Sequence, residues 1–140
     1  SGIECAIKNM SMAHACGYAE DECLFELGRM FESISKNDAA IDHYKKAFAH
    51  NECNYQIGLA YCAIWLRVNH GKVCDNMVQD GVIRILNEVG SKDLLCNKLA
   101  YALLWYIYKL KKEDKKAEEV FNLTDVNALS EMFVIAPAKN

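Results

Sequence analysis

Histidine and cysteine side chains lie near one another at several places in this chain, and both types can ligate a metal. His50 comes three residues before Cys53, and His70 comes four residues before Cys74. Together these pairs could supply a Cys2His2 zinc site. Neither pair has the spacing of a zinc finger, and the pattern favours packing at helix junctions. We therefore expect no metal and no other cofactor.

A thiol enzyme is the other chemistry that these residues suggest. Cys74 beside His70 could form a nucleophile and its base, but neighbours in one loop rarely have the required geometry. His14 and Cys16, with Cys23, form an equally weak pattern. The chain has no P-loop, no G-x-G-x-x-G, no H-E-x-x-H and no G-x-S-x-G. We predict that it is not an enzyme, and keep a Cys/His metal-binding protein or thiol enzyme as a distant alternative.

Composition limits both the fold and the partners. The 140 residues suit one domain, and 52% hydrophobic against 25% charged residues excludes intrinsic disorder. One proline and seven glycines are too few for the turns of an all-β fold, so the composition favours an all-α domain. The net charge is −3, and acidic residues interrupt the lysine-rich stretch 109–116. We therefore expect no nucleic-acid partner.

Cysteine usage and hydropathy indicate a compartment. The seven cysteines are odd in number and contain no C-x-x-C pair, which indicates reduced thiols, although some disulfide pairing stays open. The longest apolar run, residues 99–108, has ten residues and is too short to cross a bilayer. No signal peptide is visible at the start of the sequence. We expect a cytoplasmic protein without a membrane span.

Apolar residues recur at three- and four-residue spacing along the whole chain, which predicts helices. In this interpretation Gly90 ends one helix and Ser91 caps the next. Residues 136–140 are expected to form a frayed tail. The predicted segments are 3–16, 21–33, 38–49, 52–68, a less regular 72–78, 80–89, 92–111, 115–122 and 125–133.

Two of these helices contain the same pattern, a cysteine, an aliphatic residue, a glycine and an aromatic residue at matching positions. The segments are CLFELGRMF, residues 23–31, and CNYQIGLAY, residues 53–61. A glycine inside a helix costs about 1 kcal/mol relative to alanine, so we expect it where another helix approaches closely. The aromatic ring one turn later would then fill the groove beside the glycine.

At these residues the chain resembles the tetratricopeptide repeat family, whose pattern is W-x2-L-G-x2-Y…A-x3-F…P. Leu27, Gly28 and Phe31 take the Leu, Gly and Tyr places of a first unit, and Ala40 and Tyr44 take the Ala and Phe places. The chain also resembles the related Sel1-like branch, which has L-G-x-x-Y units of variable length.

Two further units match the pattern less closely. The second contains an insertion, and its matching residues are Ile57, Gly58, Tyr61, Val82, Leu86 and Val89. In the third a tryptophan replaces the glycine, and its matching residues are Tyr101, Leu104, Trp105, Tyr108, Ala117 and Phe121.

The resemblance implies an α-solenoid of about three degenerate helical hairpins in a single domain, 1–140. Residues 21–129 would form the repeats, with capping helices in 1–20 and 125–135. The proline of the family is absent from every unit, so Asn, Gly and Ser must form the turns. The alternative is an irregular helical bundle in which the shared pattern is a coincidence.

The resemblance also implies a concave surface lined by the first helix of each unit, which would bind a segment of a partner protein. Apolar residues stand where a clamp for a C-terminal carboxylate would need polar ones, which favours an internal, partly apolar segment. The expected partner-binding residues are Glu22, Phe25, Arg29 and Glu32, then Glu52, Tyr55, Leu59 and Cys62, and finally Ala102, Tyr106 and Lys109.

We thus expect a protein–protein interaction module, either an adaptor or a small chaperone. The alternative is a self-associating structural subunit of a homodimer or of a larger complex, in which the N-terminal helix or a sister subunit covers Phe25, Tyr55 and Tyr106. The high hydrophobic fraction of 52% also indicates that some apolar surface is covered.

Overall fold

The described part of the chain consists of α-helices joined by short turns. The computed structural model describes residues 2–17, 20–69 and 76–123, of which residues 76–80 are described by their backbone alone. No β-strand occurs in these ranges, which confirms the all-α prediction for them. The described ranges contain seven helices: α1 (Gly2–Ala15), α2 (Glu20–Ser33), α3 (Asn37–His50), α4 (Tyr55–Asn69), α5 (Asn76–Lys92), α6 (Asn97–Leu110) and α7 (Asp114–Phe121).

Helix α4 begins three residues later than its apolar spacing predicts. The side-chain Oδ1 of Asn54 accepts the backbone N–H of Ile57 at 3.2 Å, as an N-cap residue does. Cys53 therefore lies in the preceding turn and is exposed, whereas Cys23 is buried within α2. Gly28 is thus the ninth residue of α2 and Gly58 the fourth residue of α4, and the two cysteines of the shared pattern lie in different environments.

The predicted end of a helix at Gly90 is wrong, because α5 continues through it to Lys92. A Cβ at Gly90 would lie 2.6 Å from Cε1 of Tyr101, so this glycine permits the ring of α6 to pack on α5. The helix break comes at Asp93 instead. Its Oδ1 accepts the N–H groups of Leu95 at 2.8 Å and Cys96 at 3.1 Å, which separates α5 from α6.

The contacts divide the chain into two units, Ser1–Ile64 and Trp65–Asn140. In the first unit α1 packs on α2, and α2 packs on α3. In the second unit α5 packs on α6, and α6 packs on α7. Helix α4 contains the boundary, with its first ten residues in one unit and its last five in the other.

The core of the first unit lies between α2, α3 and the beginning of α4. One cluster joins Leu24, Ala47 and Ile57, and a second joins Ala40, Tyr44 and Ile64. Each cluster takes buried residues from neighbouring helices, so the three helices cannot separate without exposing apolar surface to water.

The α2–α3 turn closes with a left-handed residue that is not glycine. Ser35 has φ of 61°, and the next residue, Lys36, donates its N–H to the carbonyl of Phe31 at 2.9 Å. This is a Schellman arrangement, which satisfies a carbonyl at the end of α2. The carbonyl of Lys36 then accepts the N–H of Ala40, so one short turn ends α2 and begins α3.

The α6–α7 turn repeats this geometry at the equivalent sequence positions. Lys112 has φ of 62°, and Glu113 donates its N–H to the carbonyl of Tyr108 at 2.9 Å. The carbonyl of Glu113 then accepts the N–H of Ala117, which is buried as Ala40 is. The two hairpins α2–α3 and α6–α7 therefore use the same turn in the same register.

The two hairpins differ in how they accommodate their aromatic residues. In α2–α3, a Cβ at Gly28 would lie 2.5 Å from Cδ1 of Tyr44, and the ring is 1% exposed. In α6–α7, Trp105 takes the place of the glycine, and its ring centroid lies 6.4 Å from that of Phe121. Phe121 is 43% exposed, so the larger residue prevents the close packing found in the first hairpin.

Candidate functional site

The outward side of α2 contains most of the predicted binding residues of the first unit. Glu22 and Arg29 are exposed, and Phe25 is half-buried between them at the edge of the core. Residues three and four apart share one side of a helix, so this spacing places all three on neighbouring positions. The sequence-predicted residues of α2 therefore lie together on an accessible surface.

The guanidinium of Arg29 lies over the aromatic ring of Phe25. Its guanidinium carbon lies 6.0 Å from the centroid of Phe25, and Nη1 lies 3.1 Å from Oε1 of Glu26. Both charged groups are well exposed, so the ion pair contributes little to stability but orients the guanidinium. The arrangement presents an exposed guanidinium, which carries five N–H donors, next to an aromatic ring.

Glu32 faces the core more than the solvent. Its Oε1 accepts a hydrogen bond of 2.7 Å from the hydroxyl of Tyr44, the ring that lies against Gly28. Burial raises the pKa of the Tyr44 hydroxyl, and the bonded Glu32 carboxylate raises it further, so the phenol stays protonated and donates. One carboxylate oxygen of Glu32 is thus bonded to Tyr44 of α3. We therefore assign Glu32 a structural role in addition to its predicted place on the binding surface.

The α4 residues of the predicted surface differ in accessibility. Tyr55 is half-buried at the first position of α4, while Leu59 is only 9% exposed and belongs to the core. Cys62 is fully buried, and so is Ala102 in α6. The expectation that Leu59, Cys62 and Ala102 line an open surface is wrong, because tertiary packing covers them. Glu52 lies exposed in the turn before α4.

In the second unit, Tyr106 and Lys109 lie one turn apart on α6. Tyr106 is half-buried, and burial raises the pKa of its hydroxyl. Lys109 is exposed, and its Nζ lies 3.2 Å from Oδ1 of Asp114 across the α6–α7 turn. Nearby, Lys111 and Lys116 lie at 3.0 Å and 3.3 Å from Glu113. The hydrogen bond from Lys111, with a smaller one from Lys116, lowers the pKa of the Glu113 carboxyl.

Sequence reasoning missed a cluster that joins three helices. The Nε2 atoms of His14 and His50 each lie 3.2 Å from Oε1 of Glu20. The three residues come from the end of α1, the start of α2 and the end of α3. No spacing in the sequence connects them, since only the folding of the three helices brings their ends together. The cluster ties the ends of these helices at the surface of the first unit.

The arrangement of the described residues does not favour the alternative of a metal site or a reactive thiol. Within the ranges the structure describes, no three His, Cys, Asp or Glu side chains are grouped so that they could hold a metal ion. Burial, followed by the charge of Asp93, raises the pKa of the Cys96 thiol, which disfavours the nucleophilic thiolate. Burial raises the pKa of Cys23 as well. His70 and Cys74 lie outside the described residues, as do the predicted helix 125–133 and the cap 125–135.

Two further observations concern the cysteines and the lengths of the helices. Cys5, Cys16, Cys23, Cys53, Cys62 and Cys96 are free thiols. In the described ranges, no helix is both long enough and apolar enough to cross a membrane.

The chain was compared with protein-family models, with curated proteins and with solved structures, and none of the three comparisons finds a match.

Proposed function

We propose that this chain is a helical-repeat interaction module of tetratricopeptide or Sel1-like type, acting as an adaptor or a small chaperone. The observation that carries the proposal is the common plan of the α2–α3 and α6–α7 hairpins. Both close with the same Schellman turn, and both place a buried alanine at the same register, Ala40 and Ala117. Units repeated in this way are typical of proteins that bind other proteins through an extended helical surface.

Within this proposal, the partner segment binds the outward side of α2. Phe25 supplies a half-buried aromatic ring, and Arg29 supplies a guanidinium whose position is restrained by Glu26. Aromatic and arginine side chains are the residues most often found to dominate binding energy at protein interfaces. Glu22 adds an exposed carboxylate beside them. A segment with an apolar residue flanked by polar groups suits this surface.

The test is a comparison of cross-linked partners from cells that make the protein. Arg29→Glu reverses the charge above Phe25, and Lys45→Glu makes the same change at an exposed position of α3. We expect the wild type and Lys45→Glu to capture the same partners, and Arg29→Glu to lose at least one of them. Tyr55→Ala, at the start of α4, tests whether the surface extends beyond α2.

The proposal would be rejected by either of two results. Equal recovery of every partner by all four proteins would mean that the outward side of α2 and Tyr55 play no part in binding. Capture of no partner above the level of an unrelated helical protein would argue against an interaction module altogether.

Self-association is the second candidate, and one observation favours it. Leu94 and Leu95, in the turn between α5 and α6, are 89% and 97% exposed, and Asp93 Oδ1 accepts the backbone N–H of Leu95. Two adjacent leucines on a structured turn are unusual at a surface that only water covers.

Sedimentation of the wild type and of Leu95→Glu over a range of concentrations tests self-association. An association that the substitution weakens supports self-association through these leucines. A wild-type monomer at every concentration excludes self-association.

A further inference from the structure

Helix α1 is held to the first unit by one side only. It packs against α2, yet none of its fourteen residues is buried. Its other residues are all exposed, including Met12 at 58%. The half-buried residues follow three- and four-residue spacing and form a single stripe: Ile3, Ala6, Ile7, Met10, Ala13 and His14.

The surface beneath α1 belongs to α2, near the start of that helix. His14 of α1 contacts Glu20, the first residue of α2. Since residues three and seven apart share one side of a helix, the side that carries Glu20 also carries Cys23 and Leu27, which are buried. Arg29 and Glu22 lie on the exposed side instead. Glu20 also contacts His50 of α3, so helix α2 packs on both α1 and α3 and leaves Glu22 and Arg29 to solvent.

The contacts that hold α1 are weak ones. A helix of fourteen residues is marginally stable in water without tertiary support. The stripe supplies only partial burial, and the His14–Glu20 pair is exposed enough for solvent to screen it. Elements with few buried apolar contacts open locally at a lower free energy than the core does. Opening of α1 would uncover the apolar side of α2 without breaking the α2–α3 core.

We propose that α1 is a displaceable cover, and that the side of α2 beneath it is a docking surface for an amphipathic helix of a partner protein. Recognition of a helix in an apolar groove uses anchors at positions i, i+3, i+4 and i+7, which is the spacing of Ile3, Ala6, Ile7 and Met10. The chemistry of the occupant follows from α1 itself. The partner helix carries a stripe of small and aliphatic residues and ends in an imidazole or a basic group that faces Glu20.

This docking surface differs from the outward side of α2 in the proposed function, and it extends that function to a second side of the same helix. In the closed state α1 competes with the partner, so the apparent affinity falls in proportion to the fraction of open molecules. The test needs no natural partner, so the two proposals can fail separately.

The test uses a fluorescein-labelled peptide with the sequence of residues 1–17, with Cys5→Ser and Cys16→Ser to prevent disulfides. Its affinity is measured by fluorescence anisotropy for the whole chain, for Met10→Asp and for Met12→Asp. Met10 lies in the stripe and Met12 on the opposite, exposed side, so the two substitutions are matched in chemistry. We expect the peptide to bind Met10→Asp about tenfold or more tightly than it binds the wild type or Met12→Asp.

Equal affinity for all three proteins would overturn the competition between α1 and the peptide. Absence of binding to a Met10→Asp protein that keeps its helical circular dichroism would overturn the docking surface. Hydrogen exchange on the wild type gives a second measurement that does not depend on any variant. The amides of α1 should exchange about tenfold or more faster than those of α3, and equal protection of the two helices would show that α1 is a fixed part of the unit.

Discussion

Gly28 is the residue on which the packing of the first unit depends most closely. A Cβ at this position would lie 2.5 Å and 2.6 Å from two carbons of the Tyr44 ring. The ring cannot move freely, because it is 1% exposed and its hydroxyl is bonded to Glu32 at 2.7 Å. We expect Gly28→Ala to lower the free energy of unfolding by about 1–3 kcal/mol through overpacking, despite the better helix propensity of alanine. Urea denaturation measures this change.

Gly81 in α5 provides the matched control. It too lies within a helix, but in the described part of the chain a Cβ there would have nothing within 4 Å beyond its chain neighbours and the backbone of its own helix. Gly81→Ala should therefore leave stability unchanged or raise it by up to about 1 kcal/mol, as helix propensity predicts. If both variants gained stability equally, the close approach of Tyr44 to Gly28 would be contradicted.

The residues of the site show which parts of it sequence can predict. The glycine pattern correctly predicted a close approach at Gly28, because a glycine inside a helix is costly unless something needs the space. It assigned the space to Phe31, whereas Tyr44 of α3 fills it and Phe31 lies beside His43. The burial of Cys62 could not be predicted, since helical spacing does not say which neighbouring helix covers a side.

At the scale of elements, each of the two Schellman turns contains a non-glycine residue with strained backbone angles, which a glycine would relieve. Ser35 and Lys112 adopt φ of 61° and 62°, a region where the Cβ of an ordinary residue is too close to the backbone. Both side chains are exposed. We expect Ser35→Gly and Lys112→Gly each to raise the free energy of unfolding by about 0.5–1 kcal/mol, after the greater freedom of glycine in the unfolded chain is subtracted. Thermal denaturation measures both.

Ser35→Ala is the control for these turns, because alanine keeps the Cβ and hence the strain. It should give no gain in stability, and a gain equal to that of glycine would show that the backbone strain is not the cause. Equal effects at Ser35 and Lys112 would further support a common plan for the α2–α3 and α6–α7 hairpins.

Apolar spacing predicts the positions of the helices well. The prediction is poor where one residue type, such as glycine, can either end a helix or permit close packing within it. The spacing located α1, α2 and α3 to within about one residue at each end. A glycine at position 90 predicts a helix end, but glycine also permits close approach of another helix, and here Tyr101 occupies the space beside it. The break at Asp93 depends on a side-chain hydrogen bond that apolar spacing does not register.

At the scale of the whole molecule, length and composition favoured one domain, while the contacts form two units, Ser1–Ile64 and Trp65–Asn140. Composition cannot distinguish these cases, since a chain of 140 residues has enough apolar surface for either arrangement. Each unit contains a glycine that admits a tyrosine ring from the next helix, Gly28 with Tyr44 and Gly90 with Tyr101. These glycines allow each unit to be perturbed by the same substitution.

Native-state hydrogen exchange of Gly28→Ala and Gly90→Ala therefore tests whether the two units unfold separately. The Cβ added in Gly90→Ala would lie 2.6 Å from the Tyr101 ring, so the two substitutions impose similar overpacking. If each unit is its own cooperative element, Gly28→Ala should accelerate exchange in α2 and α3 while α6 keeps its wild-type rates, and Gly90→Ala should do the reverse. Acceleration of all helices by both variants would show instead that α4, which belongs to both units, couples them into the single domain that the composition favoured.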